Sequence, residues 1–104
     1  MALLTKGFAS LISKNLHFKR HRHEYPWPDA NNYEQCADVF LTKSATPSMH
    51  IHPRGDGDVV RYDEISGEFG ILQADRHIRT YFLRPVSTIQ EAAAGLAYFH
   101  RGKE

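Results

Sequence analysis

Two histidines four residues apart are the first feature of this sequence that could do chemistry. His17 and His21 stand in the segment HFKRHRH, together with Lys19 and Arg20. If this segment is helical, the two imidazoles lie on one face of the helix, close to each other. One imidazole can take a proton from a ribose 2′-hydroxyl while the other protonates the leaving oxygen, and nearby cations can stabilise the charged phosphorane. The pattern therefore indicates phosphodiester cleavage, with Lys19 and Arg20 as contacts to the substrate.

The same spacing is also typical of zinc ligation by two helical histidines. His50 and His52 form a second pair, and alternate residues of a strand point to the same face, so this pair could supply half of a metal site. Against zinc, cations flank the first pair, and positive charge beside a metal ion is electrostatically unfavourable. A solvated basic helix end is the alternative for the first pair, and a glycine-rich turn that leads into a strand explains the second pair more simply. We therefore expect no metal and no cofactor.

A third group of polar side chains lies in the segment Ile78-Arg79-Thr80-Tyr81-Phe82. On a strand, Arg79 and Tyr81 share one face, and Thr80 shares the other with its apolar neighbours. Arginine can hold a phosphate through two hydrogen bonds, and tyrosine can stack on a base or donate a hydrogen bond. Arg61, in the preceding β-rich part of the chain, is a second candidate phosphate ligand. An ordinary half-buried strand with its arginines reaching to solvent explains the same pattern.

Composition limits what the protein can be. The chain has 104 residues, of which 41% are hydrophobic and 24% are charged, an ordinary composition for one globular domain. Its single cysteine excludes an internal disulfide framework. Seven histidines are an unusually high number for this length. The sequence contains no apolar run long enough to cross a bilayer.

The net charge of +1 hides an uneven distribution of charge along the chain. Residues 1–23 carry five lysines and arginines and no acid, whereas residues 24–75 carry ten acids against three bases. Residues 76–104 return to a net charge of +3. Two basic ends that flank an acidic middle can converge in space on a polyanion. Chance segregation of charge in a short chain is the alternative.

The helices that must position the first histidine pair can be read from periodicity. Apolar residues at a 3.6-residue period predict a helix over residues 2–16. Residues 17–24 can continue this helix or begin a second one, before the prolines of YPWPD stop it. A second helix is predicted over residues 31–43, with Asp29 or Asn31 as its N-cap.

The centre of the chain changes to the period of a strand. Three short β-rich segments are separated by hairpin-length turns and predict an antiparallel meander. These segments are residues 58–63, 69–73 and 77–83. Residues 49–52 are compatible with a further short strand, and Ser87 with Gln90 forms a capping pattern before a helix over residues 88–99. The order predicts an α+β domain of N-terminal helices, a small antiparallel β-meander and a C-terminal helix.

Together these residues resemble a known family. The segment His17-Phe18-x-Arg20-His21-x-x-Glu24-Tyr25 is similar to the HFxKHxxEF opening of small bacterial toxin domains. Further segments follow in the family's order: YEQCADVFL from Tyr33, GDVVRYD from Gly57, GEFGI from Gly67, IRTYFLRP from Ile78 and YF from Tyr98. Over about residues 17–99 the chain thus resembles the C-terminal nuclease domains of polymorphic and contact-dependent growth inhibition toxins, which have the barnase/EndoU/colicin/RelE-like fold.

The resemblance implies a metal-independent endoribonuclease toxin that cleaves tRNA or another structured RNA through attack by the 2′-hydroxyl. It implies catalytic roles for His17, His21, Arg79, Thr80 and Tyr81, and substrate contacts from Lys19, Arg20, Arg61 and Tyr98. It also implies a cognate immunity or antitoxin protein, and a cytoplasmic site of action with delivery into target cells as one route.

The sequence departs from the family's pattern in two places. Arg22 and His23 stand where a glycine-led linker usually follows the second histidine, and residues 1–16 form a predicted helical leader before the domain of residues 17–104. Four origins are compatible with this start: a free-standing cytoplasmic toxin, a prophage-borne relative, a domesticated relative and a toxin domain cut from a longer polypeptide. A non-catalytic RNA- or protein-binding module on the same scaffold is the alternative function.

Overall fold

The computed structural model describes residues 3–102 of the chain. Its elements are α1 (Leu11–His21), α2 (Ala30–Thr42), β1 (Met49–Pro53), β2 (Val59–Asp63), β3 (Glu68–Leu72), β4 (Ile78–Leu83) and α3 (Ile89–Gly102). In this part of the chain, four strands form one antiparallel sheet in the order β1-β2-β3-β4. The predicted α+β layout is confirmed, and β1 adds a strand at one edge of the expected meander. None of the helices described is long and apolar enough to span a membrane.

Helices cover both faces of the sheet because its strands present apolar side chains to both sides. One face packs on α2 through a core that includes Phe40 and Tyr81. The other face packs on α3 through a core that includes Tyr62, Phe69 and Phe99. Strand β4 lies at the edge of the sheet and contacts α1, so the first helix and the last strand are neighbours.

Helix α3 approaches the sheet closely at Gly95. A Cβ atom at this position would collide with the hydroxyl of Tyr62 in β2. The absence of a side chain at Gly95 therefore permits the short distance between α3 and the sheet. This approach brings the rings of Tyr98 and Phe99 down onto the strands.

The prediction of a helix over residues 2–16 is wrong at its start. Helix α1 begins at Leu11, where the side chain of Ser10 caps it by accepting a hydrogen bond from the backbone N–H of Ser13. The helix then continues past residue 16, so it crosses the predicted boundary between a leader and a domain. Residues 1 and 2 of the predicted helix lie outside the described residues.

Carboxylates of α2 hold the segment before α1. Asp38 accepts hydrogen bonds from the backbone N–H groups of Leu4 and Thr5 at 3.0 and 2.7 Å, and Glu34 accepts one from Phe8 at 3.0 Å. Phe8 is buried and forms an isolated bridge to the first residue of β4. Tertiary hydrogen bonds and core packing therefore replace the helix that the local periodicity favoured.

The observed helix caps refine the predicted ones. Helix α2 uses Asp29, one of its two candidates, whose side chain accepts a backbone hydrogen bond in the first turn. Helix α3 is capped by Thr88 and Glu91, one residue after the predicted pair of Ser87 and Gln90. The Glu91 carboxylate accepts from the N–H of Thr88, and the Thr88 hydroxyl accepts from the N–H of Glu91.

A bulge in β4 changes which side chains share a face. The pairing of β3 with β4 slips by one residue at Arg79, which has no partner in the register. Ile78 therefore packs in the same core cluster as Tyr81, whereas regular alternation predicts opposite faces for these two residues. The side chain of Arg79 is turned outward and is 49% exposed.

Candidate nucleic-acid site

The last turn of α1 and the loop after it hold one histidine in a defined orientation. Nδ1 of His21 lies 2.8 Å from Oε2 of Glu24, and the two side chains are only 14% and 17% exposed. The other carboxylate oxygen of Glu24 accepts a hydrogen bond from the backbone N–H of Leu83 at 2.9 Å. Glu24 thus joins α1 to the edge of β4. It also orients the imidazole, so that neutral His21 carries its proton on Nδ1 and its lone pair on Nε2.

Nε2 of His21 is unpartnered. It makes no hydrogen bond to a described residue, and it keeps some contact with solvent although the side chain is only 14% exposed. The ring stacks on Phe82 with centroids 5.2 Å apart and planes 17° from parallel. A ring that is fixed on one side and has a free nitrogen on the other can act as a general base or acid.

His17 has a similar arrangement one helical turn earlier. Its Nδ1 lies 2.9 Å from the carbonyl oxygen of Ser13, and its ring packs on Phe8 with centroids 4.9 Å apart. The Nδ1–H therefore donates to Ser13, and Nε2 has no partner in the described part of the chain. His17 and His21 both expose the same ring nitrogen, on the same helix.

The second part of the site comes from the other basic end of the chain. The guanidinium of Arg84 lies 4.7 Å from the centroid of the Tyr98 ring, and that of Arg101 lies 5.6 Å from it. Tyr98 packs edge-on against Phe82 at 5.8 Å, and His21 stacks on the same ring. The contacts around Phe82 therefore bring the two basic regions of the sequence together.

Arg84 lacks hydrogen-bond acceptors. Its Nε is buried and unpartnered, and no described residue accepts a hydrogen bond from its guanidinium. The hydroxyl of Tyr62 is also buried without a partner; burial raises the pKa of Tyr62, and the charge of Arg84 partly offsets that rise. Because buried polar groups are normally paired, the open donors of Arg84 indicate a place for an acceptor such as a phosphate oxygen.

A recess of about 360 Å³ opens between these two parts. It is lined by His23, Glu24, Leu83, Arg84 and Pro85. Lys19 and Arg20 lie exposed in the last turn of α1, and neither side chain forms an ion pair with a described residue. No carboxylate of the described residues therefore neutralises these two side chains, and an anion can bind to them.

Two predicted phosphate ligands are engaged by the protein itself. Nη1 of Arg61 donates to carbonyl oxygens at the C-terminal end of α2, at 3.2 and 2.8 Å, and burial lowers the pKa of Arg61. Arg79 pairs with the carboxylate of Asp58 at 3.2 Å. No contact joins either arginine to His21 in the residues described. Both arginines hold elements of the fold together outside the candidate site.

Tyr81 and Thr80 also lie outside it. Tyr81 is 2% exposed, and its hydroxyl donates to Oε2 of Glu68 at 2.7 Å. Burial first, and then the negative charge of Glu68, raise the pKa of Tyr81 far above its usual range. Thr80 pairs with Ile71 of β3, on the face of the sheet that carries α3. Neither side chain reaches the group of residues around Phe82 through a described contact.

Metal ligands do not converge in the part of the chain that is described. No group of three histidine, cysteine, aspartate or glutamate side chains there could hold a metal ion. His50, from the second histidine pair, is instead 2.8 Å from Glu64 through Nε2, and its ring packs near Phe99.

Two residues of the site, Glu24 and Arg84, received no role from sequence reasoning. Both stand in the motif segments, HFKRHRHEY and IRTYFLRP, but loop residues have no periodicity that assigns a partner. For Glu24, the spacing of three residues from His21 is the only local pattern that indicates a contact between the two side chains. The role of Arg84 depends on its stacking with Tyr98, which follows it by fourteen positions and lies on another element.

Comparison with known proteins assigns no family. No protein-family model matches the chain, and no curated protein matches it with significant sequence similarity.

Proposed function

We propose that the protein is a metal-independent endoribonuclease toxin that cleaves RNA by attack of a ribose 2′-hydroxyl on the adjacent phosphate. The observation that carries the proposal is the meeting of two groups across Phe82. On one side is His21, oriented by Glu24, and on the other is the ring of Tyr98, which carries Arg84 with its unfilled donors. This arrangement supplies a proton-transfer group and a phosphate ligand in one place.

In the proposed reaction, Nε2 of His21 takes the proton of the 2′-hydroxyl, and the Glu24 carboxylate stabilises the imidazolium that forms. The 2′-oxygen bonds to phosphorus, and the bond from phosphorus to the 5′-oxygen breaks. Protonated His17 gives a proton to the departing 5′-oxygen, which leaves a 2′,3′-cyclic phosphate and a 5′-hydroxyl. Arg84 and Arg20 stabilise the additional negative charge on the phosphorane oxygens.

The substrate class is RNA, because the nucleophile of this reaction is the 2′-hydroxyl that DNA lacks. The family resemblance makes tRNA or another structured RNA the proposed substrate, and the cytoplasm, including that of a target cell, the proposed place of action. It also makes a cognate immunity or antitoxin protein the proposed partner. An acidic surface on that protein would complement the exposed Lys19, Arg20 and Arg22.

The test is incubation of the purified protein with total RNA in EDTA across a pH series. The wild type is expected to produce fragments that end in 2′,3′-cyclic phosphate, and His17→Ala and His21→Ala are expected to lose this activity. His77→Ala is a matched control, because His77 lies in the turn before β4 and pairs with Asp75 instead. Intact RNA with the wild type at every pH would contradict the proposal, and full activity of both variants would contradict the assignment of the histidines.

A non-catalytic RNA-binding module is the second candidate function. It is favoured by the arginine and lysine side chains that form no ion pair with a described residue, which can bind phosphate groups without any contribution from a histidine. Arg84 and the exposed end of α1 would bind RNA equally well in such a module. Two results together would support this function over the first: the wild type binds RNA without cleaving it, and His21→Ala binds RNA as tightly as the wild type.

A further inference from the structure

A cleft of about 570 Å³ lies beside the proposed cleavage site. It opens between α2 and the loop that carries Tyr25 and Trp27, and the sheet contributes Tyr81 and Leu83. Leu83 lines both this cleft and the smaller recess at the cleavage site. Tyr25 also follows Glu24 directly in the chain, so the cleft and the proposed phosphate position are neighbours.

The wall of the cleft is aromatic. Tyr25, Trp27 and Tyr81 line it, and the centroids of the Tyr25 and Trp27 rings are 5.3 Å apart. Tyr25 is 52% exposed, whereas Trp27 and Tyr81 are buried. A planar ring that enters the cleft can therefore stack on Tyr25 without displacing the core.

Polar groups in the same cleft can contact the edge of such a ring. The side-chain amide of Gln35 makes no hydrogen bond to a described residue, so its N–H and carbonyl groups are both available. Glu68 accepts hydrogen bonds from the hydroxyls of Tyr81 and Ser66, and its oxygens have further lone pairs. A nucleobase can pair with these donors and acceptors, whereas an aliphatic chain would cover them without pairing.

We propose that this cleft binds one base of the RNA, next to the phosphate that is cleaved. The identification of the natural ligand as RNA rests on the proposed function. A base that stacks on Tyr25 has its ribose and phosphate near the recess, because Leu83 lines both the cleft and the recess. The cleft therefore selects the nucleotide that borders the cleaved bond.

The chain carries two reporters of this cleft. Trp27 is its only tryptophan and Cys36 its only cysteine, and both line the cleft. Burial raises the pKa of the Cys36 thiol, so alkylation of Cys36 is best measured in mildly alkaline solution, where more of the thiol is ionised.

The experiment titrates the protein with each of the four nucleoside 5′-monophosphates, and with ribose 5-phosphate as a control without a base. At least one nucleotide is expected to change the emission of Trp27 and, at about ten times its Kd, to slow alkylation of Cys36 by about tenfold. Ribose 5-phosphate is expected to do neither. Unchanged reporters with every nucleotide, or equal effects of ribose 5-phosphate, would overturn the inference.

Two variants locate the bound base. Tyr25→Ala removes the stacking ring and is expected to weaken nucleotide binding by about tenfold or more, whereas Tyr25→Phe keeps the ring and is expected to bind like the wild type. Gln35→Leu removes the amide at similar size and is expected to alter the preference among the four bases. Far-UV circular dichroism checks that each variant folds. Equal nucleotide affinities of folded Tyr25→Ala and the wild type would overturn the inference.

The outcomes for the cleft and for cleavage can be told apart. Cleavage of RNA by a protein whose cleft does not respond to nucleotides overturns the base site and leaves the ribonuclease proposal standing. Nucleotide binding that depends on Tyr25, in a protein that leaves RNA intact, supports the base site and overturns the ribonuclease proposal.

Discussion

The two ends of strand β4 use arginine in opposite ways. Near the start of the strand, Arg79 pairs with Asp58, a buried carboxylate that also lies 3.2 Å from Arg54. Just after the end of the strand, Arg84 has no acidic partner among the described residues and stacks on Tyr98. At the first end, charge holds the fold together, and at the second it is available to a ligand.

The surroundings of each end show the same difference. At the start of β4, Asp38 binds the segment that ends in Phe8, and Phe8 bridges to the strand. At the end of β4, Glu24 binds the strand and also orients His21. We therefore expect substitutions at the start to change stability and substitutions at the end to change RNA cleavage.

The largest effect is expected from His21→Ala. Loss of the proton-transfer group should lower the rate of RNA cleavage by the folded variant by about 10²–10⁴-fold. Loss of the contacts with Glu24 and Phe82 should also lower the thermal unfolding midpoint. Single-turnover cleavage of a labelled RNA measures the rate. His77→Ala, which removes a histidine at the other end of β4, should cleave like the wild type. Equal cleavage rates for the two variants would contradict the proposed difference between the two ends of β4.

Asp58→Ala should have the next largest effect, on stability. It removes a buried acceptor that Arg54 and Arg79 share and should lower the free energy of unfolding by about 2 kcal/mol, because the exposed Arg79 can be solvated when its partner is lost. Urea unfolding measures this change, and Asp56→Asn at the exposed neighbouring carboxylate should change it by about 0.5 kcal/mol or less. The folded variant should cleave RNA at the wild-type rate, so a large loss of activity without a loss of stability would contradict this prediction.

Arg84→Ala should weaken RNA binding by about tenfold and reduce the slope of log Kd against log salt concentration by about one. Its matched control is Arg79→Ala, which removes an arginine already paired with Asp58 and should leave both quantities unchanged. Fluorescence anisotropy with an RNA that lacks 2′-hydroxyls at the cleavage point measures affinity without cleavage. Equal effects of the two substitutions would show that the ends do not differ in available charge.

The smallest effect concerns pH. Burial alone would raise the pKa of Asp38, but hydrogen bonds from the hydroxyl of Thr5 and the backbone N–H groups of Leu4 and Thr5 lower it below the ordinary value of 3.8. A carboxyl with a lowered pKa stabilises the fold above its ordinary pKa, and this contribution is lost as the pH falls through the pKa of the folded protein. Asp38→Asn lacks the charge that strengthens these hydrogen bonds, so it should be less stable at pH 7 by about 1 kcal/mol. It should also lose less stability than the wild type below about pH 4.

Thermal unfolding of both proteins between about pH 3 and 7 measures this difference. If Asp38→Asn and the wild type lose the same stability in acid, protonation of Asp38 does not contribute to the loss of stability at low pH. Cleavage at pH 7 serves as the control. Asp38 of α2 binds the segment before α1 and makes no contact with His21 among the described residues, so its replacement should leave the rate unchanged.

Local patterns predicted the parts of the molecule that local geometry decides. The four-residue spacing of His17 and His21 puts both rings on one face of any helix, and both Nε2 atoms are available in the structure. The same spacing could not show that Asp38 would bind the chain before α1. Phe8 fits a helical period, yet it packs into the core because a carboxylate thirty residues away holds its segment.

The sequence by itself determined the α+β layout and placed the histidine pair on a helix, because periodicity and turn residues act over a few positions. Only the tertiary structure decided which cations remain available. Arg61 and Arg79 look like phosphate ligands in the sequence, but α2 and Asp58 engage them. Arg84 is left open because the register of the sheet and the position of α3 bring an aromatic ring to it rather than a carboxylate. Such pairings depend on distances between residues far apart in the chain, which no local pattern encodes.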